Sequence, residues 1–281
     1  MMIGFFLFLL GLIVGSFINA LQYRIQIGQK NTGRSYCPKC KHTLAWYDLV
    51  PVLSWFMLLG KCRYCQKKIS AQYPVIEIVT ALIFVGFGIA SGLGPKINDV
   101  LFGFQSISNN LFVKYIVLLA LLLIIAAIFV LLALHDAKTS YILSYYAYAG
   151  IILALVYHLI EYAGRWQLID LFNYLYPYIL SGVIPALFFI SLYLVSKGRW
   201  MGAGDAELAL FIGIFLGSAL TPVAFYFAFI VGSIYGVGKI MMKKSQMKSA
   251  LPFGPFLIAG TFFAYIYGQN IVDYYLRFMG L

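Results

Sequence analysis

The chain has 281 residues, of which 63% are hydrophobic and only 10% charged, with a mean hydropathy of +0.90. That composition excludes an ordinary soluble domain and indicates a polytopic membrane protein. The net charge of +11 would suit nucleic acid in a soluble protein. In a bilayer protein it has a topological origin, because Lys and Arg gather in the cytoplasmic loops, so no nucleic-acid partner is expected.

The first apolar run, Ile3 to Leu21, has no basic residue ahead of it and leads into Gln22 and Tyr23 rather than a small-residue cleavage site, so it reads as a retained span. About fifty residues then pass without a run long enough to cross, from Gln22 to Tyr73, carrying all four cysteines and nine basic residues. This is a small cytoplasmic domain. Its Trp46, Tyr47, Val50, Val52, Leu53, Trp55 and Phe56 fit either a modest core or a surface lying on the membrane. Further spans are expected at Pro74 to Leu93, Tyr115 to Leu134, Leu143 to Leu159, Leu175 to Val195, Pro222 to Met241 and Pro252 to Tyr267, with a shorter, Gly-punctuated one at Asp205 to Leu220. No internal repeat is apparent.

The sign of the loops tests this count. With the N-terminus outside, all basic residues except Lys96, Lys114, Arg165 and Arg277 fall on the cytoplasmic side. Lys243, Lys244 and Lys248 do so only if the segment from Asp205 to Leu220 crosses, which supports eight spans with both chain ends outside. The expected fold is an all-α polytopic membrane protein with about eight transmembrane helices and a small zinc-binding cytoplasmic loop domain. Its parts are the first helix (1–22), the cysteine domain (23–73) and a membrane core (74–281).

Cys37-Pro-Lys-Cys40 and Cys62-Arg-Tyr-Cys65 are two C-x2-C pairs with 21 residues between them, close to the spacing of a four-cysteine zinc site. Each pair can point two thiolates at one tetrahedral ion, and the neighbouring Lys and Arg offset the negative charge. Two disulfides and a redox dithiol are the alternatives; the cytoplasmic side disfavours the first, and a redox motif needs only one pair. Four thiolates leave no open position for substrate, so the zinc is expected to be structural.

Ionised carboxylates near hydrocarbon need a reason. Asp99, Glu161, Asp170 and Asp273 fall outside, and Asp48 lies in the cysteine domain, leaving Glu77, Asp136, Asp205 and Glu207 near the cytoplasmic boundary. Glu77 reads as a first-turn residue stabilised by the helix dipole, and Glu207 as interfacial. Asp136 closes the third span and Asp205 opens the sixth, so both are expected at one depth. Two carboxylates facing each other there tend to hold one proton between them, as aspartic proteolysis requires. Gly202 and Gly204 are expected to let the backbone turn into the helix and a substrate strand approach. A helix terminus and an N-cap are the ordinary uses of each Asp alone, and proton relays in transporters also use intramembrane carboxylates.

Several motifs together resemble the type IV prepilin leader peptidases, whose related intramembrane aspartic proteases share Gly-x-Gly-Asp. They are Gly11-Leu-Ile-Val-Gly-Ser-Phe-Ile-Asn19 through Tyr23-Arg24, Ser35-Tyr-Cys37-Pro-Lys-Cys40, Trp46-Tyr-Asp48, Pro51-Val-Leu-Ser-Trp55, Gly60-Lys-Cys62-Arg-Tyr-Cys65, Tyr73-Pro-Val-Ile-Glu77, Gly198-Arg-Trp-Met-Gly202-Ala-Gly204-Asp205 and Pro252-Phe-Gly-Pro-Phe256. The resemblance implies cleavage of the basic leader of prepilins and pseudopilins at the cytoplasmic face of a bacterial inner membrane. In bifunctional members, methylation of the new N-terminal amine by S-adenosyl-L-methionine follows. It makes Asp136 and Asp205 the catalytic pair and Cys37, Cys40, Cys62 and Cys65 the zinc ligands. The complete cysteine domain favours the bifunctional form over the peptidase-only one. Two departures stand out: Ile142-Leu143-Ser144 where Ile-Pro is usual, and Glu207 where many members carry Lys. No Gly-rich loop marks the S-adenosylmethionine contacts.

Overall fold

A computed structural model describes residues 2–30, 33–101, 108–163, 168–199, 201–242 and 252–280. Arg165, Trp200, Lys243, Lys244 and Lys248, which entered the loop and motif expectations above, lie outside them. Among the described residues the secondary structure is helical, and β pairing is limited to isolated bridges. The helices are α1 (Met2–Gln26), α2 (Leu53–Met57), α3 (Gln72–Ala90), α4 (Leu93–Leu101), α5 (Asn109–Thr139), α6 (Ser144–Tyr162), α7 (Leu168–Ser196), α8 (Ala203–Met241) and α9 (Gly254–Phe278). The chain divides into two units, Met1–Leu119 and Ala120–Leu281.

In the first unit α1 packs along α3 at close range because small residues face the contact. A Cβ on Gly11 would stand 2.5 Å from Ala81 Cα, and one on Gly15 2.7 Å from Glu77 Cα. Glycines four apart let two backbones meet in this way where lipid offers no hydrophobic drive for association. Asn19, 2% exposed, fixes the register by donating from Nδ2 to the carbonyls of Gly15 (3.2 Å) and Tyr73 (3.3 Å). The Gly11, Gly15 and Asn19 signature is therefore a packing motif.

Between these helices, segments 35–44 and 60–69 have the same backbone plan. Each is closed by an isolated bridge, Tyr36 with Thr43 and Lys61 with Lys68. In each, the first cysteine's N–H donates to the residue five on (His42, Lys67) and its carbonyl accepts from the residue four on (Lys41, Gln66), all at 2.9 Å. Lys41 and Gln66 both take positive φ, 60° and 57°. The sequence reading found no repeat. The structure corrects it: the repeat is one of backbone hydrogen bonds, carried by the two C-x2-C pairs while most other side chains differ.

Several large apolar residues of the segment between the knuckles lie outside any core. Trp46 is 78% exposed, Met57 81% and Leu59 83%, with Leu53 and Phe56 also well exposed. Of the two sequence readings, the modest core is excluded for these side chains.

In the second unit, Phe129 of α5 stacks on Phe211 of α8 (centroids 4.1 Å), both fully buried, and Gly150 of α6 leaves the space Phe211 fills. The run assigned to α8 is broken at Gly217 (φ 76°, ψ −178°), a conformation open to glycine and strained for other residues. The contacts with α7 show what the break does. Gly213 lies on the Ser181–Gly182 backbone and Gly217 on Tyr178, and then Phe225 and Phe229 return to Phe189. The halves 203–216 and 218–241 thus run in opposite senses along α7. His158, 3% exposed, braces the bend by donating from Nε2 to the Ile214 carbonyl (3.0 Å) in the last turn before it. On the far side Gly260 of α9 meets Ala224, and Gly268 meets Leu220, so α9 is antiparallel to the returning half.

Five helices, α1, α3, α5, α7 and α8, contain segments long and apolar enough to cross a membrane by length and composition among the described residues. Eight spans are not reproduced by that measure. The difference has physical sources: α8 counts once although it reverses at Gly217, and α6 and α9 carry many tyrosines, which lower their apolarity.

Candidate active site

Asp136 lies in the last turn of α5 and Asp205 in the first turn of α8, both buried at 4% and 9% exposure. Because α8 runs away from this end while α5 runs toward it, the two carboxylates come to the same end of the unit, within electrostatic reach of each other. Each accepts a backbone N–H at a helix start. Gly202 N–H donates to Asp205 Oδ2 at 3.1 Å, just ahead of α8, and the Asp205 N–H returns a bond to the Gly202 carbonyl at 3.2 Å. Gly254 N–H, at the first residue of α9, donates to Asp136 Oδ2 at 3.0 Å. Amides at helix N-termini lack intrahelical partners and carry the positive end of the dipole, so both carboxylates have fixed donors.

The role of Pro252-Phe-Gly-Pro-Phe256, which sequence reasoning left as a signature without a function, follows from this geometry. A Cβ on residue 254 would sit 2.6 Å from Asp136 Oδ2, so only glycine brings its amide this close. Pro255 starts the helix without losing a bonded N–H. Phe253 packs against Phe189, Phe229 and Phe256 and anchors the turn. The sequence signal was present as a Gly-Pro pair at a helix start, but nothing in it named Asp136 as the partner.

The two glycines before Asp205 divide their work differently from the expectation. A Cβ on Gly204 would meet Ile142 Cβ at 2.8 Å, so Gly204 serves packing rather than substrate access. Gly202 is exposed and has no crowding neighbour. The unusual Ile142-Leu143-Ser144 keeps Ile142 buried at this contact, and α6 starts at Ser144. Glu207 faces α6, accepting from Tyr148 Oη at 3.1 Å, and takes no part in the pairing.

Glu77 corrects another expectation. Helix α3 begins at Gln72, before the sequence boundary, which puts Glu77 beyond the first turn and removes the dipole argument. Its buried carboxylate instead accepts the Val52 N–H at 2.7 Å.

The four cysteines converge: one Sγ from each lies within 4.8 Å of all the others, with Cys37 and Cys62 buried. The Cys37 and Cys65 sulfurs are 4.0 Å apart. A disulfide needs about 2.05 Å, whereas a tetrahedral ion with bonds of about 2.3 Å needs sulfurs roughly 3.8 Å apart. The set therefore fits zinc. Burial works to raise the Cys37 thiol, but amide donors at Cys40 and Lys39 and the neighbouring thiols outweigh it and bring it down to about 7. Asp48, missed in the sequence, ties the second knuckle to the 3-10 turn Trp46–Leu49: it accepts from Arg63 Nε at 2.8 Å, Tyr64 Oη at 3.0 Å and Ala45 N–H at 3.3 Å. Desolvation raises this carboxyl, but the bonds from Arg63, Tyr64 and Ala45 hold it below its ordinary value.

Residues 9–90 match the family model described as Bacterial Peptidase A24 N-terminal domain, and residues 122–237 match that of the Type IV leader peptidase family. The chain is 30% identical to a prepilin leader peptidase/N-methyltransferase of Bacillus subtilis (strain 168) over 272 residues, covering 96% of this chain and 97% of the relative. It is 28% identical to the protein of that name from Aeromonas salmonicida (strain A449) over 299 residues, 96% and 92% of the two chains. With the one from Pseudomonas aeruginosa it shares 26% over 300 residues, 97% and 93%. No solved structure gives a significant match.

Proposed function

Since the chain belongs to the type IV leader peptidase family, we propose that Asp136 and Asp205 are the catalytic pair with which it cleaves the leader of prepilins and pseudopilins. It is a prepilin peptidase that also N-methylates the new N-terminus, as the relatives' names describe of them, and it resides in the bacterial inner membrane. The active site faces the cytoplasm, where the basic loops of the sequence are expected. One observation carries the reading: two buried carboxylates at one end of the unit, each held by a backbone amide at a helix start.

The pair shares one proton. The ionised member draws a proton from water as the oxygen attacks the peptide carbonyl, and the protonated member hydrogen-bonds the carbonyl oxygen. The Gly202 and Gly254 amides hold the carboxylates still while the proton moves, so orientation is set before the reaction begins. A prepilin's apolar helix can lie in the bilayer while its cleavage point reaches this end of the bundle. A relay across the membrane would need carboxylates reaching toward the midplane and both sides, and these two share one end.

Cys37, Cys40, Cys62 and Cys65 hold a structural zinc ion. S-adenosyl-L-methionine is the methyl donor. Co-expression with a prepilin tests the assignment: Asp136→Asn and Asp205→Asn each abolish processing while inserting normally in the membrane. Processing by either variant would overturn it.

A further inference from the structure

The face of α1 turned away from α3 carries a different pattern from the face that packs. Gly11, Gly15 and Asn19 mark the α3 side. At about 3.6 residues per turn, Ile13, Ser16, Phe17, Ala20 and Arg24 fall on the opposite side in one stripe. These five line a groove of about 370 Å3 whose other wall is Gly33, Ser35, Leu49 and Pro51 of the cysteine domain. From Ile13 to Arg24 the stripe runs roughly 16 Å at about 1.5 Å per residue, close to half of a hydrocarbon core about 30 Å thick. The groove is therefore as deep as one leaflet.

The lining is apolar at one end and basic at the other. Ile13 and Phe17 are 58% and 57% exposed, and Phe6 and Leu10, nearer the N-terminus of the same helix, are exposed as well. Arg24, in the last turn of α1, donates from Nη2 to the Gly33 carbonyl at 2.7 Å, which ties the domain's loop to the helix and fixes the guanidinium at the end of the groove. Ser35 stands on the opposite wall, and its carbonyl accepts the Leu44 N–H at 2.9 Å within the first knuckle. Among the described residues no carboxylate lines the groove. Leu49 and Pro51 belong to the stretch that exposes Trp46, Leu53 and Phe56, so apolar surface flanks the groove on the domain side as it does on α1.

We propose that this groove binds one phospholipid of the leaflet on the cysteine-domain side, with an acyl chain along Ile13, Phe17 and Ala20 and its phosphate at Arg24 and Ser35. A guanidinium presents its N–H donors in a fork that matches phosphate oxygens, and a serine hydroxyl can donate to the same group. A free phosphate would meet the fork and leave the apolar stripe uncovered. A hydrocarbon tail alone would make no use of Arg24. A phospholipid satisfies both ends at the spacing of one leaflet. The bound lipid is a wedge between α1 and the loop that carries Ser35, and it holds the first knuckle against the membrane. The site belongs to the first unit, whereas Asp136 and Asp205 belong to the second, so the inference does not depend on the catalytic reading.

Full-length protein in vesicles of phosphatidylethanolamine and phosphatidylglycerol, doped with a phospholipid that carries a photoreactive group in its acyl chain, supplies the test. Labelling mapped residue by residue is expected to concentrate on Ile13, Phe17, Leu49 and Pro51 in excess over Phe6 and Leu10, which meet only bulk lipid. Arg24→Gln keeps a donor for the Gly33 carbonyl and is expected to cut that excess roughly tenfold, the size of losing one charge-assisted hydrogen bond. Ala20→Phe, which fills the groove, is expected to abolish it, and inorganic phosphate is expected not to compete. Zinc content and membrane insertion show that each variant is folded, and where a variant loses zinc the map of the unsubstituted protein decides. Labelling spread evenly over the exposed residues of α1, or equal labelling in a folded Arg24→Gln protein, would overturn the site. Displacement by inorganic phosphate alone would make it a phosphate site, and displacement by prepilin would assign the groove to the substrate's apolar helix; either result sinks the lipid.

Discussion

Substituting Gly254 with alanine tests the link between α9 and the Asp136–Asp205 pair. The new Cβ would lie 2.6 Å from Asp136 Oδ2, 3.2 Å from Cγ and 3.5 Å from Cβ, well inside ordinary contact distance. Asp136 has to swing away, and the 3.0 Å bond from the residue-254 amide is lost. A hydrogen bond to a charged group contributes about 1.5–3 kcal/mol. If that stabilisation is needed in the transition state, kcat falls roughly 10- to 150-fold. The assay is cleavage of a purified prepilin by the full-length protein in detergent, with kcat and KM measured separately. The loss is expected in kcat, because the residue-254 amide acts on the Asp136 carboxylate. Gly236→Ala is the control, since a Cβ there meets nothing within 4 Å. A Gly254→Ala protein with unchanged kcat would refute the claim that this amide orients Asp136.

Three further outcomes follow from the first unit. Metal analysis is expected to find one zinc per chain, lost in Cys62→Ser together with methylation; a stable, metal-free protein that still methylates would contradict the structural role. Asp48 has a folded-state pKa below its ordinary value, so its stabilisation of the knuckle is complete above about pH 4 and is lost as pH falls through the depressed folded value. Asp48→Asn should therefore flatten the acid limb of zinc-domain unfolding followed by hydrogen exchange, and an unchanged acid limb would remove Asp48 from the account. Trp46, 78% exposed in a segment whose Phe56 and Met57 are also exposed, is expected at the lipid interface; in a variant retaining Trp46 alone of the tryptophans, brominated lipids should quench its fluorescence, and unquenched emission would place that surface in water.

How much of this was legible in the sequence depended on the range of the signal. Apolar runs announced the helices, and charge alternation singled out the segment 205–220, whose reversal at Gly217 is a matter of one residue's backbone and of side chains on another helix. The C-x2-C spacing located the sulfur cluster, because metal geometry constrains neighbours in the chain. Asp136 and Asp205 could be matched by depth alone. Their amide partners could not, since Gly254 is 118 residues from Asp136 and its role appears only when α9 is packed. The same holds for Glu77 and the Val52 amide, 25 residues apart, where local reasoning about helix dipoles gave the wrong cause for a buried carboxylate. The knuckle repeat was hidden because backbone hydrogen bonds preserve a plan that side-chain identity does not reveal.

The central claim is most directly tested by single-turnover cleavage of a purified prepilin by the unsubstituted, Asp136→Asn and Asp205→Asn proteins, with substrate co-purification as the measure of binding. The account predicts that both variants still bind prepilin while cleavage falls by about a thousandfold or more, the scale of losing a general acid or base. Cleavage by either variant within tenfold of the unsubstituted protein would contradict it.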